Sequence, residues 1–226
     1  MERSERLKAV GVLAAGLAHE IKNPLSAIKT FTEHVAQKRN DPVFLEKFQR
    51  IVGTELGKIN QIVQDLLVFA KPSSLKREPV RISALLDDTL ELLNHDLLKH
   101  HVTVERRYDP NDVVPVDRER MKQVFLNLCL NSLDAMNGNG QGQLTITTAH
   151  HPTHLEITIA DTGCGIPPEK LPHIFDPFVT DKPNGTGLGL SVVHGIIQQH
   201  GGQVGITSNV GHGVTVQLML PMNTHS

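Results

Sequence analysis

The chain has few aromatic residues and little net charge. Its 226 residues include no Trp and one Tyr, so a core built from its 39% hydrophobic residues must be mainly aliphatic. The formal charge is −2, from 22 basic and 24 acidic residues. This balance, with no block of Lys or Arg, excludes the electrostatic footprint of a nucleic-acid-binding protein.

Cysteine is equally scarce. Cys129 and Cys164 are 35 residues apart without CxxC or another metal-ligand spacing, so we interpret them as reduced thiols in a cytoplasmic protein. Histidine is abundant, with 13 residues. His150, His151 and His154, however, flank a proline in a predicted turn between strands, where surface polarity is the usual explanation.

Long apolar segments are absent too. No run approaches the ~20 residues that a membrane-spanning helix needs, and no signal peptide is recognisable, so this segment itself is expected to be cytoplasmic and to make no membrane contact. Residues 1–7 start directly in helix-forming sequence. Such a start is compatible with a helix that continues from a longer, membrane-anchored protein.

The first 70 residues are predicted to form a helical hairpin, because apolar residues recur at steps of three or four. Asp41 is expected to cap the second helix, with Pro42 at its first position. Two such helices cannot bury both stripes by pairing once, so a homodimeric four-helix bundle is expected. The two stripes are Val10, Ala14, Leu17, Ile21, Leu25, Ile28, Phe31 and Val35, then Leu45, Phe48, Val52, Leu56, Ile59, Val63, Leu66 and Phe69.

A candidate reactive histidine lies away from the first stripe. His19 is two positions from Leu17 and from Ile21, about 200° round the helix from each. Asn23 lies one turn further on the same face as His19, and Glu20 is an acidic neighbour. Taken alone, this pattern is more often a solvated face. The rest of the chain makes a chemical role the better interpretation.

After a linker at residues 71–74 the pattern changes to mixed α and β, which divides the chain into domains 1–72 and 73–226. A sheet with helices on one face, an α+β two-layer sandwich, is the most economical layout. The predicted strands are 79–82, 102–106, 144–148, 155–160, 203–208 and 214–220, and the predicted helices are 83–99 with Ser83 as its cap, 117–136, 168–175 and 188–200.

Three segments of this second domain carry polar residues that core packing does not explain. In the first, Gln123, Asn127 and Asn131 follow one another at one-turn intervals on the helix 117–136. Amide oxygens suit Mg²⁺ and amide N–H groups suit phosphates, although solvated amides explain this segment equally well when it stands alone. The residues of this helix expected to face the core are Phe125, Leu126, Leu130 and Leu133.

The other two segments are rich in glycine. Asp161-Thr162-Gly163-Cys164-Gly165 follows a predicted strand; its carboxylate can accept a hydrogen bond from an exocyclic amine such as that of adenine. Alone, this motif indicates only a turn. The segment 185–191, GTGLGLS, opens a helix and provides an anion site, but it has neither a Walker nor a Rossmann spacing. Between them, residues 175–184 resemble a lid, in which Lys182 either reaches a phosphate or is merely solvated.

In chain order, HEIKNPL, NLCLNSLDA, DTGCGI, FDPF and GTGLGL resemble the H, N, G1, F and G2 boxes of sensor histidine kinases of two-component systems, in particular the nitrogen-regulation-type branch. The resemblance extends from about residue 8 to the end. It departs only at Ser132, where Ala is frequent, and at Cys164, a variable position. It implies a dimeric four-helix bundle followed by an ATP-binding domain of the histidine-kinase, gyrase and chaperone type.

The resemblance also implies roles for individual residues. His19 would accept the γ-phosphoryl group of ATP, Glu20 would orient the ring or take its proton, and the phosphoryl group would pass to an aspartate of a response regulator receiver domain. Asn23 would position water for the opposing hydrolysis of the phosphorylated regulator. The implied nucleotide residues are Asn131 for Mg²⁺ with Asn127 assisting, Asp161 for adenine, Gly163 and Gly165 for its close approach, and Gly185, Thr186, Gly187, Leu188 and Gly189 for the phosphate loop and lid.

Two other classes of protein compete with this interpretation. An ATPase of the gyrase, chaperone or mismatch-repair type would use the same glycine and asparagine motifs to drive a conformational change. A catalytically idle dimerisation scaffold would need only the hairpin. The segment around His19 argues against the first, and the polar residues retained in every motif argue against the second.

Overall fold

The computed structural model describes residues 21–70, 75–137, 140–177, 179–180 and 187–222, and for residues 58, 60–61 and 64–70 it describes the backbone alone. The chain divides into two compact units. One comprises Met1–Pro72 with Thr180–Leu188, and the other comprises Ser73–Val179 with Gly189–Ser226. In the described part of the chain, no helix combines the length and apolar character that crossing a membrane requires.

The first unit contains a helical hairpin, as predicted. Helix α1 covers residues 21–38 and helix α2 covers Pro42–Ala70. Helix α2 begins as the sequence indicates, because Asp41 Oδ1 accepts hydrogen bonds from the N–H groups of Val43 at 3.1 Å and Phe44 at 3.2 Å. The rings of Phe31 and Phe44 stack with their centroids 6.1 Å apart, which joins the two helices near the turn.

The second unit is a sheet covered by helices, which confirms the predicted α+β sandwich. The strands are β1 Glu78–Arg81, β2 Val102–Arg107, β3 Val113–Val116, β4 Gly142–His150, β5 His154–Asp161, β6 Gln203–Asn209 and β7 Gly213–Pro221. The main sheet has the order β2-β4-β5-β7-β6, with β2 parallel to β4 and the other neighbours antiparallel, and a small antiparallel sheet pairs β1 with β3. The helices are α3 Ile82–Leu92, α4 Asn94–Lys99, α5 Arg118–Met136 and α6 Gly189–Gln199.

The core lies on one face of the main sheet. Along β5, alternate residues such as Leu155, Ile157 and Ile159 are buried, since successive side chains of a strand point to opposite faces. The opposing layer comes mainly from α5 and α6. Their fully buried side chains include Met121, Val124, Phe125, Cys129, Val193, Ile196 and Ile197.

The predicted helix 83–99 is wrong in two respects. It is interrupted at Leu93, whose N–H bonds back to the carbonyl of Leu90 at 3.2 Å before α4 starts. Leu93 and Leu97, one turn apart, are both buried. Ser83 is not its cap. The fully buried carboxylate of Asp112 takes that role instead, accepting the Ser83 N–H at 2.6 Å and a guanidinium N–H of Arg81 at 3.1 Å.

Three smaller predictions also need correction. The predicted helix 168–175 is only a short 3₁₀ turn, Leu171–His173, in a segment that contains two prolines, Pro168 and Pro172. Strand β3 was not predicted, because Pro115 at its centre argues against a strand in any position but an edge, which is where it lies. Leu130 is 38% exposed and does not face the core; Leu128 and Cys129 do.

Candidate functional site

The row of amides on α5 faces the start of α6. Asn127 Nδ2 donates a hydrogen bond to the carbonyl oxygen of Gly189 at 3.3 Å. A Cβ atom built on Gly189 would lie 3.8 Å from Asn131 Nδ2 and 3.9 Å from Asn127 Cγ. The structure therefore brings together two segments that are 62 residues apart in sequence, the N box and the end of the G2 box.

Asp161 is fixed at the end of β5. Its side chain is only 8% exposed, and Oδ1 accepts hydrogen bonds from the N–H groups of Gly163 at 2.9 Å and Val214 at 3.3 Å. These two bonds hold the carboxylate between the end of one strand and the start of β7. A fixed carboxylate of this kind is suited to accept a hydrogen bond from a ligand amine in a defined orientation.

The glycines after Asp161 are required by the chain's own backbone. A Cβ atom on Gly163 would lie 2.7 Å from Ala135 Cβ and 2.9 Å from the Ala135 carbonyl oxygen, in the last turn of α5. Gly165 has a φ of +72°, and a Cβ there would overlap the carbonyl oxygen of Asn209. The loop is also tied to Ala135 by the Cys164 N–H at 3.1 Å.

Some of the predicted site residues lie outside the described residues. These are His19, Glu20, Lys182, Gly185 and Thr186. Among the described predicted residues, Asn23 is exposed on α1, Gly187 has a φ of +64°, and Leu188 is buried. Gly189, the last of the predicted loop residues, is the first residue of α6.

Two supporting contacts were not predicted. The Phe175 ring stacks on the His194 imidazole of α6, with centroids 5.0 Å apart, so the FDPF segment is anchored to that helix. The Ser208 hydroxyl accepts the Ile166 N–H at 2.7 Å and donates to the Gly213 carbonyl at 3.1 Å, which ties the G1 loop to β6 and β7. A phenylalanine in a polar stretch is a sequence signal for the first contact, but nothing in the sequence indicates the second.

Both cysteines are free, as predicted. Cys129 is buried in α5, and burial raises the pKa of its thiol to about 12, so it stays protonated. Cys164 is exposed in the G1 loop.

This arrangement has the chemistry of a nucleotide site. The start of α6 presents backbone N–H groups and the positive end of a helix dipole, which favour an anion such as a phosphate. The amides of Asn127 and Asn131 lie beside it and can offer neutral oxygens, the ligand type that Mg²⁺ prefers. The described residues thus fit a nucleotide carrying this metal ion.

Family models match both parts of the chain. Residues 9–75 match the "His Kinase A (phospho-acceptor) domain", and residues 116–224 match the "Histidine kinase-, DNA gyrase B-, and HSP90-like ATPase". The second match identifies an ATP-binding domain.

Similar sequences come from bacterial kinases. The sensor histidine kinase ZraS of Escherichia coli K12 is 37% identical over 226 residues, which cover 99% of this chain and 48% of the relative. The signal transduction histidine-protein kinase AtoS of the same organism is 37% identical over 225 residues, covering 99% of this chain and 36% of AtoS. The chain thus spans about half, or less, of the length of these curated relatives.

Solved structures agree with the sequence comparison. The catalytic domain of histidine kinase ThkA is 30% identical, with a TM-score of 0.60 over 65% of this chain and 96% of that one. ThkA in complex with the response regulator protein TrrA is 31% identical, with a TM-score of 0.81 over 98% of this chain and 64% of that one.

Proposed function

Because the chain belongs to the sensor histidine kinase family, we propose that it transfers the γ-phosphoryl group of ATP to His19 and then to an aspartate of a response regulator receiver domain. The observation that carries the proposal is that Asn127 and Asn131 lie beside Gly189, the first residue of α6, in the domain that contains Asp161. We assign phospho-acceptance and dimerisation to residues 1–72 and nucleotide binding to residues 73–226.

The nucleotide would be oriented from its two ends. Asp161 accepts a hydrogen bond from the exocyclic amine of adenine, and the backbone bonds to its Oδ1 keep the carboxylate in place for that purpose. The phosphates lie at the N-terminus of α6, where the dipole favours negative charge. We propose that Lys182, Gly185, Thr186, Gly187 and Leu188 also bind the phosphates, as the resemblance to the glycine-rich motif of the family implies.

Asn131, assisted by Asn127, would hold Mg²⁺ through their amide oxygens. When bound, the ion offsets the negative charge that crowds the phosphates. Asn127 has a second task in the described structure, since its Nδ2 donates to Gly189 and so positions the start of α6. Its amide thereby links the metal site to the phosphate loop.

The transfer itself is an in-line displacement at phosphorus. A neutral imidazole nitrogen of His19 forms the new N–P bond, the bond between the γ-phosphorus and the bridging oxygen breaks, and ADP leaves with the electron pair. Glu20 orients the ring or takes its proton. In the second step a carboxylate oxygen of the regulator's aspartate forms a new O–P bond, the N–P bond breaks, and His19 takes up a proton and leaves as neutral imidazole. The ThkA complex with TrrA supports a regulator as the partner.

The exposed apolar residues of the hairpin support a homodimer. Leu25 and Leu56, both members of the predicted stripes, are 51% and 54% exposed in the single chain. Leu45 and Val63 are exposed as well. Pairing two hairpins into a four-helix bundle covers such residues, whereas one hairpin leaves them in water.

An ATPase that shares this nucleotide fold is the competing function, and a single-turnover incubation with γ-labelled ATP separates the two. We expect the label to stay on the protein in a bond that is stable to base and labile to acid, as a phosphoramidate is. Stoichiometric release of free phosphate with no label retained on the protein would favour the ATPase instead.

We further propose that Asn23 positions the water that hydrolyses the phosphorylated regulator. Its side chain is exposed on α1, where a partner can reach it. The Asn23→Ala variant should autophosphorylate at the wild-type rate and lose most of its phosphatase activity on a purified, phosphorylated regulator. Asn40→Ala, at the exposed turn after α1, is the matched control. Equal dephosphorylation by the two variants would remove this role from Asn23.

A further inference from the structure

Three metal-ligating side chains converge at the turn between β4 and β5. One ligand atom from each of His151, His154 and Glu156 lies within 4.8 Å of the other two. His151 Nε2 is 3.8 Å from Glu156 Oε2, and the two imidazole rings stack with centroids 4.6 Å apart. The proposed nucleotide site uses none of these residues.

The strand geometry explains why they meet. His154 and Glu156 are two positions apart on β5, so both point to the sheet face opposite the buried Leu155 and Ile157. The His151 N–H donates to the His154 carbonyl at 2.9 Å, which closes the turn and brings the third side chain over the same face. The cluster is therefore a consequence of the hairpin register.

Among the described residues, the two direct cross-strand neighbours of Glu156 are uncharged. The cross-strand partners of Glu156 are Ala149 on β4 and Met219 on β7, and neither carries a charge. The carboxylate thus faces the two histidines across an uncharged stretch of sheet. A divalent cation bound by the two histidines would supply positive charge beside this carboxylate.

Two hydroxyl groups orient the ligands. Thr153 Oγ1 is 3.1 Å from His154 Nδ1 and can accept a hydrogen bond from the Nδ1–H group. In that tautomer the Nε2 lone pair is available to a metal ion. Thr158 Oγ1 donates to Glu156 Oε1 at 3.4 Å, while Oε2 faces His151. Metal-binding histidines and carboxylates commonly have such outer partners. The side chains of His151 and Glu156 are 43% and 31% exposed, so an ion can enter from solvent.

We propose that His151, His154 and Glu156 bind a divalent transition-metal ion, Zn²⁺ by preference. Two imidazoles and one carboxylate are a common donor set for Zn²⁺, with water in the fourth position, and imidazole ligands disfavour Mg²⁺ and Ca²⁺. His154 and Asp161 are the first and last residues of β5, about 23 Å apart along the strand. The site is thus separate from the nucleotide site and does not rest on the proposed kinase activity.

The bound ion would link the turn between β4 and β5 to β5 and so stabilise the folded hairpin. Because the ligands are brought together by the folded hairpin, the ion binds the native chain more tightly than the unfolded one and raises its melting temperature. The absorption spectrum of bound Co²⁺ tests the preference for transition metals independently. Co²⁺ in the same site should show the visible absorption bands of a tetrahedral centre.

The test is a titration of the untagged, nucleotide-free chain with Zn²⁺ alone, by calorimetry and by thermal melting. We expect one ion per chain at this site and a rise in Tm. His154→Ala and Glu156→Gln should each weaken binding by roughly 10–100-fold or more and abolish the Tm rise. His95→Ala, an exposed histidine of α4, should behave as wild type.

Melting without metal shows whether each variant is folded before its affinity is compared. Wild-type chain that is folded and neither binds Zn²⁺ nor gains thermal stability from it would overturn the proposal. An affinity that is unchanged in His154→Ala and Glu156→Gln would overturn it as well, since the ion would then be held by other histidines.

Discussion

The contacts of Gly163 show that packing within the protein itself determines the conformation of the G1 loop. Sequence reasoning assigned this glycine, with Gly165, to the close approach of a base. The described contacts that demand a glycine are instead with Ala135 of α5 and with the Asn209 carbonyl. Gly163 lets the G1 loop pack against α5, the helix that carries Asn131, and Gly165 lets it pack against the end of β6.

Replacing Gly163 by Ala should therefore damage nucleotide binding through the loop. The added Cβ meets Ala135, including backbone atoms that cannot move aside, at 2.7–2.9 Å. We expect a loss of about 1–3 kcal/mol in the free energy of unfolding and a clear rise in the Kd for Mg·ATP. Urea unfolding and nucleotide titration measure the two quantities.

Gly195→Ala is the matched control, because a Cβ there meets nothing within 4 Å and the residue lies inside α6. It should leave nucleotide affinity unchanged and raise stability by up to about 1 kcal/mol. Similar behaviour of the two variants would mean that Gly163 is not held by α5.

The same residues show what the sequence can and cannot indicate. Asp161, Asn127 and Asn131 were identified as site residues because polar groups at a strand end and along a helix face lack a packing reason. The bond from Asn127 to Gly189 could not be predicted, because it joins residues 62 positions apart through the way α5 packs on α6. Residue types are readable in the sequence, while their partners depend on tertiary packing.

At the scale of elements, the sequence predicts a helix cap correctly when the capping residue is adjacent to the helix in sequence. Asp41 caps α2 from the adjacent position, and that prediction is confirmed. Ser83 failed as a cap because Asp112, about 30 residues away, reaches the same N–H group. A single sequence contains no sign of that competition. The division of one predicted helix into α3 and α4 has no local signal either, since residues 82–99 contain no Pro or Gly that would mark a break.

His200 joins two elements and should make stability depend on pH. It follows α6 and is buried; its Nε2 accepts the N–H of Asp117, the cap of α5, at 3.0 Å, and its Nδ1 bonds to the Ile196 carbonyl at 2.8 Å. Burial lowers the pKa of His200 below its ordinary 6.5, against a smaller opposing effect of the Ile196 bond. Among the nearby charges, Arg77 and Arg120 lower this pKa and Asp117 raises it.

The neutral ring is therefore the form that the folded state favours. Above pH 6.5 both folded and unfolded chains carry it neutral, and its contribution to stability is complete. As the pH falls below 6.5, the unfolded chain binds a proton that the native chain does not, and stability declines by at most about 1.4 kcal/mol per pH unit until the lowered pKa is reached.

Unfolding curves between pH 7.5 and about 5 test this prediction. His200→Gln should lose the part of the pH dependence that wild type shows below 6.5, whereas His95→Ala, with an exposed histidine, should keep it. If the slope in His200→Gln equals that of wild type, the pH dependence comes from other groups.

At the scale of the whole molecule, the helical hairpin of a single chain leaves apolar side chains such as Leu25 and Leu56 exposed to solvent. The periodicity of apolar residues correctly predicted two helices. Some of the apolar residues in the two predicted stripes remain exposed when only one hairpin is present. Leu56→Asp should therefore weaken self-association by at least tenfold, since a charge would be buried at the seam. Sedimentation equilibrium measures the dimer dissociation constant.

Leu92→Asp provides the control, because Leu92 is at least as exposed as Leu56 but lies on α3 of the second unit. It should leave the dimer intact. Equal dissociation constants for Leu56→Asp and wild type would place the dimer contact elsewhere.

The central claim is that one domain binds the nucleotide and His19 in the other receives the phosphoryl group. Labelling with γ-labelled Mg·ATP, read together with nucleotide affinity, tests it in three proteins: wild type, His19→Gln and His34→Gln, whose exposed histidine lies on α1. We predict that wild type and His34→Gln become labelled and that His19→Gln does not, while its Kd for Mg·ATP stays within a few-fold. Label on His19→Gln, or loss of its nucleotide binding, would contradict this account.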